Sequence, residues 1–247
     1  MKTFLFAFLL LIAACAARAE KPAPVVVLEL FTSEGCSSCP PADKLLGDLI
    51  ARREKDGNFF ALAFHVDYWN YIGWQDRFSD SAYTARQQKY TDAFGLDAMY
   101  TPQMIVNGKE QTVGDDNVKI EGFIEKALGK PPAFSIDTLT ASVVSGDTIV
   151  VRYSNRQPIH PLMLMNIALV EKGLSSNVAK GENAGKKLYH ENVVRAFATQ
   201  KISGDKTGGG ERFAVPEGVT LKNCEIIAYL QDVASLAVLG AAETKIQ

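Results

Sequence analysis

Two cysteines separated by two serines, Cys36-Ser37-Ser38-Cys39, are the residues of this chain best placed to do chemistry. They follow an apolar run, Val25 to Phe31, and precede a helical pattern, Ala42 to Ile50. Strand, short turn, CxxC and helix sets a dithiol at a helix N-terminus, where amide donors and the helix dipole stabilise the reactive thiolate. The chemistry expected is thiol–disulfide exchange. Cys36, ahead of the helix and expected to be the more exposed thiol, attacks; Cys39, in the first turn, resolves the mixed disulfide. A structural disulfide or a metal half-site competes with this reading. A metal site needs about four ligands, whereas the remaining candidates are a distant Cys224 and the imidazoles of His65, His160 and His190. No resident metal and no cofactor are expected.

Several residues are candidates to serve this pair. Thr101-Pro102 opens a strand, one of the few places a strand tolerates proline, and X-Pro bonds adopt cis far more readily than others. A cis-Pro102 beside the CxxC would shape a substrate groove, with Thr101 offering backbone hydrogen bonds to a bound peptide. The aromatic loop Asp67 to Trp74 follows the second strand, so it should flank the dithiol at the carboxyl edge of the sheet. There Trp69 and Trp74 either grip substrate or cap the core. Glu29, a carboxylate in an apolar strand, is a candidate proton acceptor for Cys39 or half of an ion pair. His65 is a candidate proton shuttle or a hydrogen-bonded core histidine, with Asp67 as its holder. Pro40 and Pro41 argue for a late helix start with Ser37 or Ser38 as cap. Together with Glu34 and Asp43 nearby, they predict a Cys36 thiol only moderately depressed in pKa. Cys224 reads as a small buried hydrophobe.

The elements around these residues divide the chain in two. Residues 20–129 give β-α-β-α-β-β-α: strands at Val25–Phe31 and Phe59–Val66, a helix from Ser79 to Ala93, a hairpin through Asn107-Gly108, and a last helix, Asn117 to Leu128. Unbroken apolar runs fit strands buried on both faces, and Asn-Gly is a strong hairpin signal. That order is the thioredoxin core. Gly129-Lys130-Pro131-Pro132 reads as a boundary. Residues 133–247 show short alternating strands and Gly-rich turns such as Gly208-Gly209-Gly210, which suggest a β-sandwich. The expected fold class is an α/β thioredoxin-like domain followed by an all-β, sandwich-like domain.

The first 19 residues carry Lys2, an apolar stretch from Phe4 to Ala14, and Ala17-Arg18-Ala19. This is the pattern of a secretory signal peptide, too short to span a bilayer. Ile12-Ala13-Ala14-Cys15 also resembles a lipobox, with Cys15 as the site of a lipid anchor. Cleavage after Ala19 removes two cations and moves the formal net charge of −2 to −4, so neither nucleic acid nor an acidic membrane surface is an expected partner. The expected location is periplasmic or secreted, with no transmembrane helix in the mature chain.

Leu30 to Asp43, with its core Cys36-Ser37-Ser38-Cys39-Pro40-Pro41-Ala42-Asp43, resembles the hallmark of a family of secreted bacterial proteins catalogued as a domain of unknown function and grouped with thioredoxin-like folds. His65-Val66-Asp67-Tyr68-Trp69, Tyr100-Thr101-Pro102-Gln103, Val106-Asn107-Gly108, Gly181 to Gly185 and Asn192 to Arg195 also resemble it. The resemblance implies the fold and export, and no reaction. It draws attention to Gly181–Arg195, read here as an ordered turn rather than a loop docking on the redox site. The function expected is an exported thiol–disulfide oxidoreductase acting on protein thiols and disulfides with a redox partner. The alternative is a binding or assembly protein, or a copper(I) chaperone, whose CxxC is structural or metal-binding.

Overall fold

The structure is a computed structural model and describes residues 23–53, 58–155, 163–202 and 207–247. The expected signal peptide and the Cys15 lipidation site lie outside the described residues. Among the described residues, no helix is long and apolar enough to cross a membrane.

The first half runs β1 (Val26–Thr32), α1 (Cys39–Arg53), β2 (Phe59–His65), α2 (Ser81–Phe94), β3 (Gln103–Val106), β4 (Glu110–Val113) and α3 (Asn117–Leu128). Strand β1 lies parallel to β2 and antiparallel to β3. Both faces of β1 are covered, which is why its sequence is apolar almost throughout. Side chains alternate across a strand. Val26, Leu28 and Leu30 therefore meet Leu46, Leu49, Ile120 and Ile124 of α1 and α3. Val27 and Phe31 meet Tyr83 and Tyr90 of α2 on the other face.

The second half adds β5 (Thr138–Val144), β6 (Thr148–Ser154), β7 (Met163–Glu171), β8 (Leu174–Asn177), β9 (Lys187–His190), β10 (Val193–Ile202), β11 (Gly208–Ala214), β12 (Cys224–Asp232) and β13 (Val238–Lys245). Four of these strands join the first half in one eight-stranded sheet, ordered β13-β12-β7-β10-β2-β1-β3-β4. A wholly separate sandwich was expected after Gly129. Instead β10 runs alongside β2, covering what would otherwise be an open sheet edge. The seam is short: Val193 pairs with Ala63, whose N–H donates to the Asn192 carbonyl, while Asn192 Nδ2 donates to the Ala61 carbonyl. The result is a mixed α/β fold with a large sheet.

Strands β5, β6 and β11 form a separate three-stranded sheet. Its Ala141, Ile149 and Val151 pack on Met165, Ile167, Leu169 and Ile226 of β7 and β12. Gly208-Gly209-Gly210, expected as a turn, is strand β11. The reason is close approach: a Cβ on Gly208 would lie 2.6 Å from the Tyr153 carbonyl oxygen, and one on Gly210 would lie 2.5 Å from that of Val151. Strands β8 and β9, which the sequence reading missed, form a two-stranded arm, with β9 in contact with α1.

Candidate functional site

Cys36 and Cys39 are joined by a disulfide at the start of α1. The helix begins at Cys39, so Pro40 and Pro41 occupy its first turn, where a missing N–H removes no intrahelical bond. Ser38 directly precedes it, but its hydroxyl does not cap the helix. It lies 3.3 Å from Cys36 Sγ and makes a long 3.5 Å contact with the Thr101 carbonyl. Cys36 was expected to be the exposed thiol, yet both cysteines are 0% exposed. The turn is wrapped from the first half by the Thr101 segment and aromatic loop, and from the second half by the arm.

The Thr101–Pro102 peptide bond is cis, and Pro102 is buried at the start of β3. Gly114 lets this proline close on α1: a Cβ there would lie 2.8 Å from Pro102 Cβ and 3.0 Å from Ala42 Cβ. Trp69 Nε1 donates to Thr101 Oγ1 at 2.7 Å, and Trp74 Nε1 donates to Glu34 Oε2 at 2.8 Å. Both indoles are half-buried and tied to the wall of the site. Tyr71, between them and not singled out from sequence, is 83% exposed.

Beside the turn that carries the dithiol lies a buried set of titratable groups that sequence reasoning only partly identified. Glu34, Asp43, His65, Asp76 and His190 are all buried. His65 Nδ1 sits 2.7 Å from Asp76 Oδ2, which also accepts the Glu34 N–H at 2.9 Å. The holder of His65 is therefore Asp76. Asp67, the expected one, is engaged by Thr84 Oγ1 at 2.6 Å. His190, from β9, packs edge-on against His65 with ring centroids 4.8 Å apart. Its Nε2 lies 3.4 Å from Glu34 Oε1 and its Nδ1 lies 3.9 Å from Asp43 Oδ2. Thr32 Oγ1 donates to the same Asp43 oxygen at 3.1 Å.

The electrostatic consequences follow from burial against partner charge. Burial works against the imidazolium of His190, but Asp43 and Glu34 outweigh it and push its pKa up to about 10. These are ion-pair contacts: at 3.4 and 3.9 Å neither ring nitrogen makes a good hydrogen bond, and the opposite charges carry the effect. Burial raises Glu34 and the nearby Asp76 raises it further, while His190, then Ser176 and Trp74, more than offset both and leave the carboxyl below its usual value. Asp76 is likewise raised by burial and lowered further by His65 and by two backbone N–H groups. At neutral pH a cation thus stands between the two carboxylates expected to oppose a thiolate.

The Gly181–Arg195 segment was expected to be an ordered turn. It docks on the site. Asn183 is fully buried, and its Nδ2 donates to the carbonyls of Glu34 and Cys36, each at 2.9 Å. Lys186 Nζ donates to Asn183 Oδ1 and orients the amide. Exposed Glu182 accepts the Ser37 N–H at 3.1 Å, next to the dithiol. The family-like Gly181–Gly185 motif draws attention to the segment, but nothing local shows where it docks, since Asn183 is 149 positions from Glu34.

Two further candidates lie elsewhere. Glu29 faces α2, on the opposite sheet face from α1, and is gripped by Arg86 at 2.5 and 2.9 Å and by Tyr90 at 2.6 Å. Period-two alternation places it there, so it is half of an ion pair and does not face Cys39. Cys224 is free and buried. Its thiol is pushed up to about 12, by burial and then by Glu171. Of the cavities, an apolar one of about 210 Å³ between Val106, Phe123 and Val238 lies at the far end of β1 from the dithiol. Among the described residues, no three His, Cys, Asp or Glu side chains are arranged to hold a metal ion.

Known proteins share this architecture. The crystal structure of protein AGR_C_4864 from Agrobacterium tumefaciens matches with a TM-score of 0.64 and 26% identity, covering 91% of this chain and 95% of that one. HBP35 of Porphyromonas gingivalis matches with a TM-score of 0.59, covering 91% of this chain and 76% of that one; at 14% identity the likeness is of fold. No curated protein matches the chain. Residues 27–231 match the family described as protein of unknown function, DUF1223, and the chain belongs to that family.

Proposed function

We propose that this protein is an exported thiol–disulfide oxidoreductase built on a thioredoxin-like core. The observation that carries the reading is the Cys36–Cys39 disulfide at the head of α1, with cis-Pro102 packed toward the same helix turn through Gly114. In the exchange reaction a thiolate of the partner attacks Cys36 Sγ, the Cys36–Cys39 bond breaks, and Cys39 leaves with the electron pair as a thiolate. A second partner thiolate then attacks the mixed disulfide. The partner ends as a disulfide, having given up two electrons, and the protein ends as a dithiol. In the reverse direction Cys36 attacks a partner disulfide and Cys39 resolves it. Thr101 and Pro102 form the groove wall, and Tyr71 adds an exposed aromatic rim. His65, held by Asp76 on the α1 side of the sheet, is the proposed proton shuttle. The signal-like first 19 residues support action outside the cytoplasm.

A second reading is supported by the 0% exposure of both cysteines: a structural bridge in a binding or assembly protein. The equilibrium potential of the CxxC separates the two. Thiol exchange requires a value above about −300 mV, the limit below which structural disulfides resist the glutathione pool. A lower value would favour the structural bridge.

A further inference from the structure

We propose that His190 is a positioning residue of the dithiol site: it seats a cation between Glu34 and Asp43, the carboxylates flanking Cys36–Cys39, and so sets how readily that disulfide is reduced. This rests on the thiol–disulfide reading above, although its test does not.

The two anions come from the sequence around the dithiol. Glu34 stands two residues before Cys36, and Asp43 stands one helical turn after Cys39. Left alone, two buried carboxylates beside a nascent thiolate would disfavour reduction, because like charges in a low-dielectric site oppose ionisation. Among the described residues, nothing in the first half pairs with both of them. The cation comes from the second half, carried on the β8–β9 arm to within 3.4 Å of one carboxylate and 3.9 Å of the other, with 1% of its surface exposed.

The surroundings of the ring explain why His190 is the group that matters. The loop after β1 presents Glu34, α1 presents Asp43, β2 presents His65 with Asp76 behind it, and β8 presents the hydroxyl of Ser176. Phe78 closes a further side with its ring centroid 5.8 Å from that of His190, and the guanidinium groups of Arg77 and Arg195 stack on Phe78 rather than reaching the carboxylates. On the arm itself, Glu182 and Lys186 are spent on Ser37 and Asn183. Among the described residues, His190 is therefore the cation in contact with both flanking carboxylates. The same arm grips the Cys36 carbonyl through Asn183, so the ring is held in register with the dithiol.

The test is the equilibrium constant for reduction in a defined glutathione or dithiothreitol buffer, in which two buffer thiols become one disulfide as Cys36–Cys39 becomes a dithiol. It is measured on the full-length protein for wild type, H190Q, E34Q and the double variant at pH 7. Removing the cation lowers the constant about tenfold, equivalent to about 30 mV for a two-electron couple. E34Q raises it by a similar factor, and the double variant returns to within about threefold of wild type, since removing a cation and removing an anion act in opposite directions on the same ionisation. Thermal melts monitor folding. E34Q tests the sign even if H190Q is unstable. An unchanged constant in H190Q, a decrease in E34Q, or a double variant no closer to wild type than H190Q would overturn the proposal. A wild-type potential below about −300 mV would sink the exchange reading and leave these ratios measurable.

Discussion

Asn183 donates its side-chain amide to the carbonyl oxygen of Cys36 at 2.9 Å, so a residue of the β-rich half holds the backbone of the first cysteine of the CxxC. The second amide hydrogen bond, to the Glu34 carbonyl, fixes the turn on its other side. With both cysteines buried, the disulfide is reached only when this turn or its cover moves.

Loosening that latch should speed attack on the disulfide. Two hydrogen bonds contribute about 1 kcal/mol each, and about 1.4 kcal/mol corresponds to a factor of ten. Asn183→Ala should therefore be reduced by dithiothreitol up to roughly thirtyfold faster. Trp69 and Trp74 flank the site, so stopped-flow tryptophan fluorescence reads the rate. A rate equal to wild type would mean that Asn183 does not limit access.

The Glu29–Arg86 pair ties β1 to α2, and through Tyr229 and Gln231 to β12. Arg86→Met leaves a buried carboxylate without its cation, which costs about 3–5 kcal/mol. Urea denaturation should show that loss, while the reduction potential of folded protein stays near wild type because Glu29 lies on the opposite sheet face. A large shift in potential without a loss of stability would return Glu29 to the dithiol chemistry.

The buried charges give stability a defined pH dependence. His190 rises from an ordinary 6.5 to about 10, so its contribution is complete below pH 6.5 and is lost as pH climbs toward 10. Glu34 and Asp76 are lowered from 4.5 and 3.8, so theirs is complete above those values and is lost as pH falls below them through the lower folded-state values. Melting temperature should therefore peak between about pH 5 and pH 6.5 and decline toward pH 9. In H190Q the alkaline decline should flatten. A wild-type melting temperature that rises from pH 6.5 to 9 would contradict the charge assignment.

Gly114 is the contact through which cis-Pro102 meets the helix turn after the dithiol. An added methyl would lie 2.8 Å from Leu30 Cδ1 and Pro102 Cβ, and 3.0 Å from Ala42 Cβ. Overpacking of this kind costs about 1–3 kcal/mol. Gly114→Ala should lose that much in urea denaturation and should also slow exchange with a peptide disulfide. Unaltered stability would show that the proline and helix are not tightly coupled.

Much of the first half was legible because its determinants are local. Apolar runs mark β1 and β2, Asn107-Gly108 marks the β3–β4 turn, and Thr101-Pro102 before a strand marks the cis bond. The CxxC was legible for the same reason. What could not be read is what the chain brings from far away. Glu182 and Asn183 lie in a family-like motif and His190 stands out as an imidazole, but their partners exist only once the β8–β9 arm lies on α1. The joining of β10 to β2 was hidden likewise, since a strand's own sequence does not name its neighbour. The face on which Glu29 lies was available from strand alternation, as neighbouring Val27 and Phe31 face α2 with it. Its role still needed Arg86, 57 positions away.

The most direct test of the redox assignment is to express full-length Cys39→Ser in an oxidising extracytoplasmic compartment, quench with acid, and look for mixed disulfides on Cys36 by non-reducing gel and mass spectrometry. Without its resolving partner, Cys36 should accumulate covalent complexes with a discrete set of proteins that disappear on reduction and are absent from a Cys36→Ser/Cys39→Ser control. A folded Cys39→Ser protein with Cys36 fully reduced and no trapped partner would contradict the assignment and leave the disulfide as a structural bridge.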